Sequence, residues 1–249
     1  MSSTTTTIDP EEVEKFEKIA QEWWDPLGKF KPLHKFNPVR LGLIRDQLCE
    51  HFGRDRFAKK PLEGLRLLDI GCGGGLVSEP MARLGASVTG IDAAEGNVKT
   101  ARVHAEQSKL DIDYRATSAE DLLASGEEPF DVVLNLEVVE HVADIGLFLG
   151  TSAKLLKPGG MMGMATLNRT LKAAATAVFA AEYVLRWLPI GTHDPRKFVK
   201  PSEAKRHLTD AGLKIVAERG LTYLPLLDSW RVGEDMSVNY MLFAEKPEA

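Results

Sequence analysis

From Leu65 onward, short apolar runs alternate with helical segments, and this constrains the fold more than any other feature. The runs are "LRLLDI" (65–70), "ASVTGID" (86–92), "IDYRAT" (112–117), "FDVVLNL" (130–136) and "GMMGMATL" (160–167). Strands that are apolar on both sides and separated by helices belong to a parallel sheet covered on both faces. Near the end, "LKIVAERGLTYLP" (213–225) and "VNYMLFAEKP" (238–247) alternate like paired strands that close one edge. The expected fold is therefore α/β: a doubly wound, mostly parallel, seven-stranded sheet. "LLKPGG" (155–160) reads as a helix end and a Pro-Gly turn into the next strand.

Residues 1–60 read as a helical N-terminal extension, with 1–8 expected to be disordered, and residues 61–249 as the main domain. In the extension, Asp9 is placed to cap a helix that starts at Pro10. Val13, Phe16, Ile19, Ala20 and Trp23 then follow at helical spacing. "WWDPLGKFKPLHKFNPVR" (23–40) interrupts with three prolines, and a second helix runs to about Phe52. A net charge of −5 carries no basic field, so no nucleic-acid partner is expected. Two cysteines, Cys49 and Cys72, make no disulfide framework and suit a reducing compartment. There is no secretion signal and no uncharged apolar stretch of about 18 residues. The expected location is cytoplasmic, peripheral on the inner face of the membrane.

"LLDIGCGGG" (67–75) ends the first strand. Gly71, Gly73 and Gly75 allow a sharp turn and a close backbone approach to a ligand. A dinucleotide fingerprint requires Gly or Ala where Leu76 stands. Asp69 precedes the loop; its carboxylate would repel a pyrophosphate and attract an ammonium. Asp92 closes the second strand, 21 positions after Gly71, placed to accept both hydroxyls of a ribose. A nucleoside with a cationic tail and no phosphates describes S-adenosylmethionine.

These motifs, with "LLKPGG" before the fifth strand, resemble the Rossmann-like class I methyltransferases. The resemblance narrows with "WWDPLGKFKPLHKFNPVRLGLI" (23–44), "GIDAAEGNV" (90–98) and "NLEVVEHV" (135–142). Together these are similar to the ubiquinone-biosynthesis O-methyltransferases, which methylate ring hydroxyls of polyprenylated phenols and catechols. The resemblance implies that Arg40 holds the cofactor's carboxylate and that Gly71, Asp92 and Leu136 contact the cofactor, beside Asp69 and Gly73. It also implies that other quinone-biosynthesis enzymes are partners.

"NLEVVEHV" carries three ionisable groups, Glu137, Glu140 and His141. In a helical turn, positions i, i+3 and i+4 share one face. A phenol with a pKa of about 10 must lose its proton for methyl transfer. Two devices are open. Glu137, Glu140 and His141 could bind a divalent cation, Mg²⁺ by the family resemblance, on which a catechol ionises. Alternatively His141 is a general base whose ring a glutamate orients. His34, His104, His193 and His207 read as surface or core histidines.

About thirty residues separate "ATLNRT" from "KPSEAKRHLTDAG", more than a connection of roughly 2–6 needs, so about 168–200 is an insertion. "TLKAAATAVFAAEYVLRWLP" (170–189) reads as an amphipathic helix: Lys172, Glu182 and Arg186 on one side, Val178, Val184, Leu185 and Leu188 on the other. With Arg196, Lys197 and Lys200 it forms either an anionic-membrane contact over about 171–200 or a lid on the active site. Rival functions are a soluble small-catechol O-methyltransferase and a non-catalytic adenosylmethionine-binding scaffold.

Overall fold

The computed structural model describes residues 6–175 and 194–248. Its strands are β1 (Arg66–Ile70), β2 (Ser87–Asp92), β3 (Asp113–Ala116), β4 (Phe130–Leu136), β5 (Leu156–Leu167), β6 (Lys214–Leu224), β7 (Ser229–Gly233) and β8 (Asn239–Glu245). They form one sheet in the order β3-β2-β1-β4-β5-β8-β6-β7. The five strands from β3 to β5 are parallel, and β8, β6 and β7 are antiparallel. The sheet thus has eight strands, not the seven expected. The additional strand is β7, which turns back on β6 at the outer edge and pairs Leu221 with Val232 and Tyr223 with Trp230.

The helices are α1 (Pro10–Glu17), α2 (Lys31–His51), α3 (Ser78–Arg83), α4 (Glu95–Gln107), α5 (Ala119–Ala124), α6 (Ile145–Lys154), α7 (Leu171–Ala173) and α8 (Pro201–Asp210). One face of the sheet buries Leu68, Val133, Met164 and Leu242 under α5, α6 and α8. The other buries Leu67, Val132, Leu134 and Phe243 under α2 and α3. Successive residues of β1 and β4 therefore enter opposite cores, which is why these strands read as unbroken apolar runs. The N-terminal extension takes part in this packing directly, since Ile44 and Leu48 of α2 are fully buried.

Four expectations are corrected. The first helix ends at Glu17 and gives way to a 3-10 turn over Ala20–Glu22. The prolines do not all break structure: Pro32 lies in the first turn of α2 and Pro38 inside it. The bound of the expected disordered tail shifts, because Thr7 is among the described residues, is buried, and accepts through its backbone oxygen from the Ala143 amide at 2.9 Å. "LLKPGG" does follow a helix end, with Leu155 capping α6, but its Pro-Gly piece is an irregularity inside the start of β5 and not a turn ahead of it. There β4 pairs Phe130 with Leu156 and then Val132 with Met161, so Lys157–Gly160 bulge out, with Gly159 at φ 74°.

The capping of α1 is as expected, with the Asp9 side chain accepting from the Glu11 amide. Most of the helix read over 170–189 lies outside the described residues. Among the described residues no helix is long and apolar enough to cross a membrane.

Candidate active site

Strand order reverses between β1 and β4, and open α/β sheets bind ligands in the crevice beyond the strand ends at such a point. A cavity of about 640 Å³ lies there. Arg40, Asp69, Gly71, Gly73, Asp92, Leu136, Glu137, Glu140 and His141 all line it. These residues come from α2, from the ends of β1, β2 and β4, and from the turn after β4, so the topology gathers positions up to a hundred residues apart.

The glycine loop after β1 is pinned from below by the Ile91 carbonyl, which accepts from the Gly71 and Cys72 amides at 2.8 and 3.0 Å. From above it is capped by Trp23. A Cβ built on Gly73, whose φ is +54°, would stand 2.4 Å from the Trp23 ring. The Trp23 indole also donates to Asn97 Oδ1 at 2.8 Å and stacks on Phe30 at 3.7 Å. Trp24 donates to the Gly74 carbonyl at 2.8 Å and stacks on His104. The Trp-Trp pair is thus the seat of the loop, a role its sequence position did not reveal. His34 and His104 belong to the same assembly, the first bonded to the Trp23 carbonyl and the second to Glu79. Gly73→Ala combines a left-handed backbone with this contact and is expected to cost about 2 kcal/mol or more. Thermal unfolding followed by tryptophan fluorescence measures it, and a wild-type midpoint would contradict the packing.

Three charged groups face the cavity from its floor. Asp92 accepts from the Gly73 and Ala94 amides at 2.9 and 2.8 Å and from Asn97 Nδ2 at 3.2 Å. Burial raises its pKa, and the two backbone donors oppose that. Asp69 is 2% exposed and accepts from Ser78 Oγ at 2.6 Å. Burial pushes its carboxyl up to about 6 despite Ser78 and Arg40. Arg40 is 3% exposed, donates to Asn37 Oδ1 at 2.5 Å and to Glu137 Oε1 at 3.3 Å, and leaves its Nε buried without a partner. A planar guanidinium lining the cavity suits a carboxylate held through two parallel hydrogen bonds. A nucleoside carrying an amino-acid tail fits this set: a carboxylate at Arg40, a cation beside Asp69, a ribose at Asp92.

The segment after β4 is a tight turn, not a turn of helix. Glu137 adopts a left-handed backbone at φ 59°, and the His141 amide bonds the Val138 carbonyl at 2.8 Å. The three side chains consequently diverge. Glu137 goes to Arg40, Glu140 accepts from Thr166 Oγ1 at 2.8 Å, and His141 Nδ1 meets Glu12 Oε2 at 2.9 Å. Among the described residues no three His, Cys, Asp or Glu side chains are gathered to hold a metal ion. The shared helical face expected of Glu137, Glu140 and His141 is replaced by this turn, and in this structure each of the three, all lining the one cavity, bonds a different partner. Burial, reinforced by Glu137, raises the Glu140 pKa well above the usual carboxylate range. Burial works against a charged His141 ring, but Glu12, Glu140 and Glu137 outweigh it and raise its pKa.

The roof of the cavity comes from the N-terminal segment, with Thr7, Ile8, Glu12, Val13 and Phe16. Glu12 went unnoticed in the sequence, where it reads as one of two acids in the first turn of a helix. The basic cluster of the insertion is partly spent on that roof: Lys197 Nζ lies 2.8 Å from Glu12 and 3.2 Å from Asp9, and Arg196 pairs with Asp194.

A model of the methyltransferase domain family matches residues 68–164. In fold, the chain is similar to a magnesium protoporphyrin IX methyltransferase of Synechocystis PCC 6803 solved with bound S-adenosylmethionine. The TM-score is 0.63, with 17% identity over 96% of this chain and 99% of that one. It is also similar to a Thermotoga maritima S-adenosylmethionine-dependent methyltransferase, at TM-score 0.63, 16% identity, and coverage of 94% and 99%. Curated relatives are far closer in sequence. The ubiquinone biosynthesis O-methyltransferase of Chelativorans sp. is 61% identical over 98% of this chain and 96% of its own length. Those of Sinorhizobium medicae and Brucella ovis are 59% and 58% identical, with coverage of at least 97% on both sides. Relatedness at this level over nearly the full length shows that the chain belongs to the ubiquinone biosynthesis O-methyltransferases, a family of S-adenosylmethionine-dependent class I methyltransferases.

Proposed function

We propose that this chain methylates ring hydroxyls of polyprenylated phenol and catechol intermediates in ubiquinone biosynthesis, with His141 as the base that takes the hydroxyl proton. The observation that carries the reading is the sharing of one cavity by two chemistries. Asp92, Asp69 and Arg40 offer the complement of a nucleoside amino acid, and His141 lines the same space. S-adenosylmethionine, when bound, supplies a methyl group on a sulfonium. In this reading Arg40 holds its carboxylate, Asp69 faces its ammonium, Asp92 takes the ribose hydroxyls, and Gly71, Gly73 and Leu136 shape the space around it. Phe16, Leu33, Phe36 and Trp230 add an apolar lining suited to an aromatic ring with an isoprenoid arm, and they exclude water around the phenolate. A base with a pKa above the ordinary imidazole value is better matched to a phenol of about 10.

Turnover of a short-chain prenyl catechol tests this. His141→Gln is expected to lower kcat by about 10²–10⁴-fold, the range for a general base, while S-adenosylmethionine affinity by calorimetry stays unchanged. Undiminished kcat would remove the base. Wild-type turnover that depends on added magnesium would move proton removal to a metal and overturn the assignment. Equal turnover of an unprenylated catechol would favour a soluble small-catechol enzyme instead.

A polyprenyl substrate resides in lipid, so we place the enzyme peripherally at a bilayer surface, with 171–200 as the contact. Leu171, at the start of this segment, is 91% exposed. Deleting 171–188 is expected to reduce co-flotation with anionic liposomes, and undiminished flotation would rule the segment out.

A further inference from the structure

We propose that the isoprenoid arm of the substrate leaves the active site between helix α2 and the β6–β7 hairpin and emerges at the tip of that hairpin. The inference rests on the reading of the substrate as a prenylated ring.

The cavity continues past the residues assigned to the cofactor and to the reacting ring. Its lining runs from Asp92, at the end of β2, to Trp230 on β7. In the sheet these strands stand six spacings apart, with β1, β4, β5, β8 and β6 between them. At the usual strand separation that is about 29 Å. Asp92 and Asp69 occupy β2 and β1, and the Glu137–His141 turn follows β4. From β4 to β7 four spacings remain, about 19 Å, far more than one aromatic ring fills.

This far part is apolar. Leu33 and Phe36 of α2 line it together with Leu221, Tyr223, Pro225 and Trp230 of the hairpin. The Trp230 ring centroid is 4.5 Å from that of Phe36 and 5.5 Å from that of Tyr223. Among the described residues, none that the hairpin adds to the lining is charged. The Tyr223 hydroxyl donates to Asp228 Oδ1 at 2.6 Å, and Lys35 of α2 donates to Oδ2 at 2.5 Å. Asp228 therefore ties α2 to the hairpin and holds the two walls together. A hydrogen-bonding ligand would lose partners between such walls, whereas a hydrocarbon chain has none to lose.

Pro225 opens the 3-10 turn Pro225–Leu227, where Leu226 is 100% and Leu227 71% exposed. These leucines carry the apolar character of the lining outward. The chain that leaves β7 also leads to the segment placed at the bilayer. Lys172 donates to Asp235 and to Ser237 Oγ, each at 2.7 Å, and Thr170 Oγ1 donates to the Ser237 carbonyl at 2.6 Å. The hairpin thus joins the far end of the cavity to the start of 171–200. An arm on this route runs from the ring toward lipid along apolar walls.

The test uses the full chain, S-adenosylmethionine, and catechols bearing one or three isoprenoid units. In wild type, three units are expected to lower KM about tenfold or more relative to one, as added carbons are buried. Leu33→Trp puts an indole into the passage and is expected to cut that gain to about threefold or less. Separately, a three-unit catechol with a diazirine on its terminal unit is illuminated on the wild-type chain. Mass spectrometry is expected to find the label within 31–37 or 221–231. Label confined to other segments, 168–200 included, would overturn the route, and so would an undiminished gain in folded Leu33→Trp. Should that variant not fold, the labelling decides. Equal KM values for one and three units in wild type would also overturn it. Turnover of an unprenylated catechol alone would instead remove the substrate reading, and this inference with it.

Discussion

Asp92→Ala is expected to lower the affinity for S-adenosylmethionine by about 10²–10⁴-fold in calorimetry, enough to abolish a measurable signal. The range is that of losing the two charge-assisted hydrogen bonds to the ribose proposed above, at about 1.5–3 kcal/mol each. The loss has a second component within the protein. The Gly73 and Ala94 amides both donate to this carboxylate, so its removal strands two donors and frees the loop that the cofactor must meet. Asp92→Asn keeps an acceptor for one of them and is expected to bind more tightly than Asp92→Ala. Wild-type affinity in Asp92→Ala would withdraw the ribose assignment.

The second large effect is expected at Arg40, and it reaches stability as well as binding. The guanidinium is buried between Glu137 and Asp69, with Glu140 nearby. Arg40→Ala leaves these acids without their counter-ion, and breaking such a largely buried pair costs up to about 3–5 kcal/mol. For a chain of this size that lowers Tm by roughly 6–20 °C, read by scanning calorimetry without any ligand. Arg40→Lys keeps the charge but loses the planar fork, so it should recover much of the stability and less of the affinity. An unchanged Tm in Arg40→Ala would show that the acids tolerate one another, and the electrostatic account of the floor would be wrong.

How far the sequence reached depended on the distance over which each feature is determined. The parallel sheet was legible because β1, β4 and β5 are buried on both sides and each writes its own apolar run. Strand β7 was missed, since "SWRVG" is short, half-exposed and held by partners distant in sequence, β6 at its edge and Phe36 of α2 on its face. The glycine loop with its two acids was legible because a close approach demands glycine and a cation demands a carboxylate. The Glu137–His141 turn was misread for a local reason. Its spacing fits a helical face, and nothing in a glutamate announces a left-handed backbone, which surrounding contacts must impose. The contacts of Glu12 and Trp23 were out of reach altogether. Each acquires its meaning from a partner on another element, and no spacing rule connects residue 12 to residue 141.

The pairing of α2 with the last hairpin has a consequence for how the chain is made. Phe36 of α2 lies 4.5 Å from Trp230, and Lys35 pairs with Asp228, 193 positions later. On a ribosome the first of these partners emerges long before the second exists. An apolar face of α2 must therefore wait, uncovered, while most of the polypeptide is still being synthesised, and contacts of such wide separation slow folding.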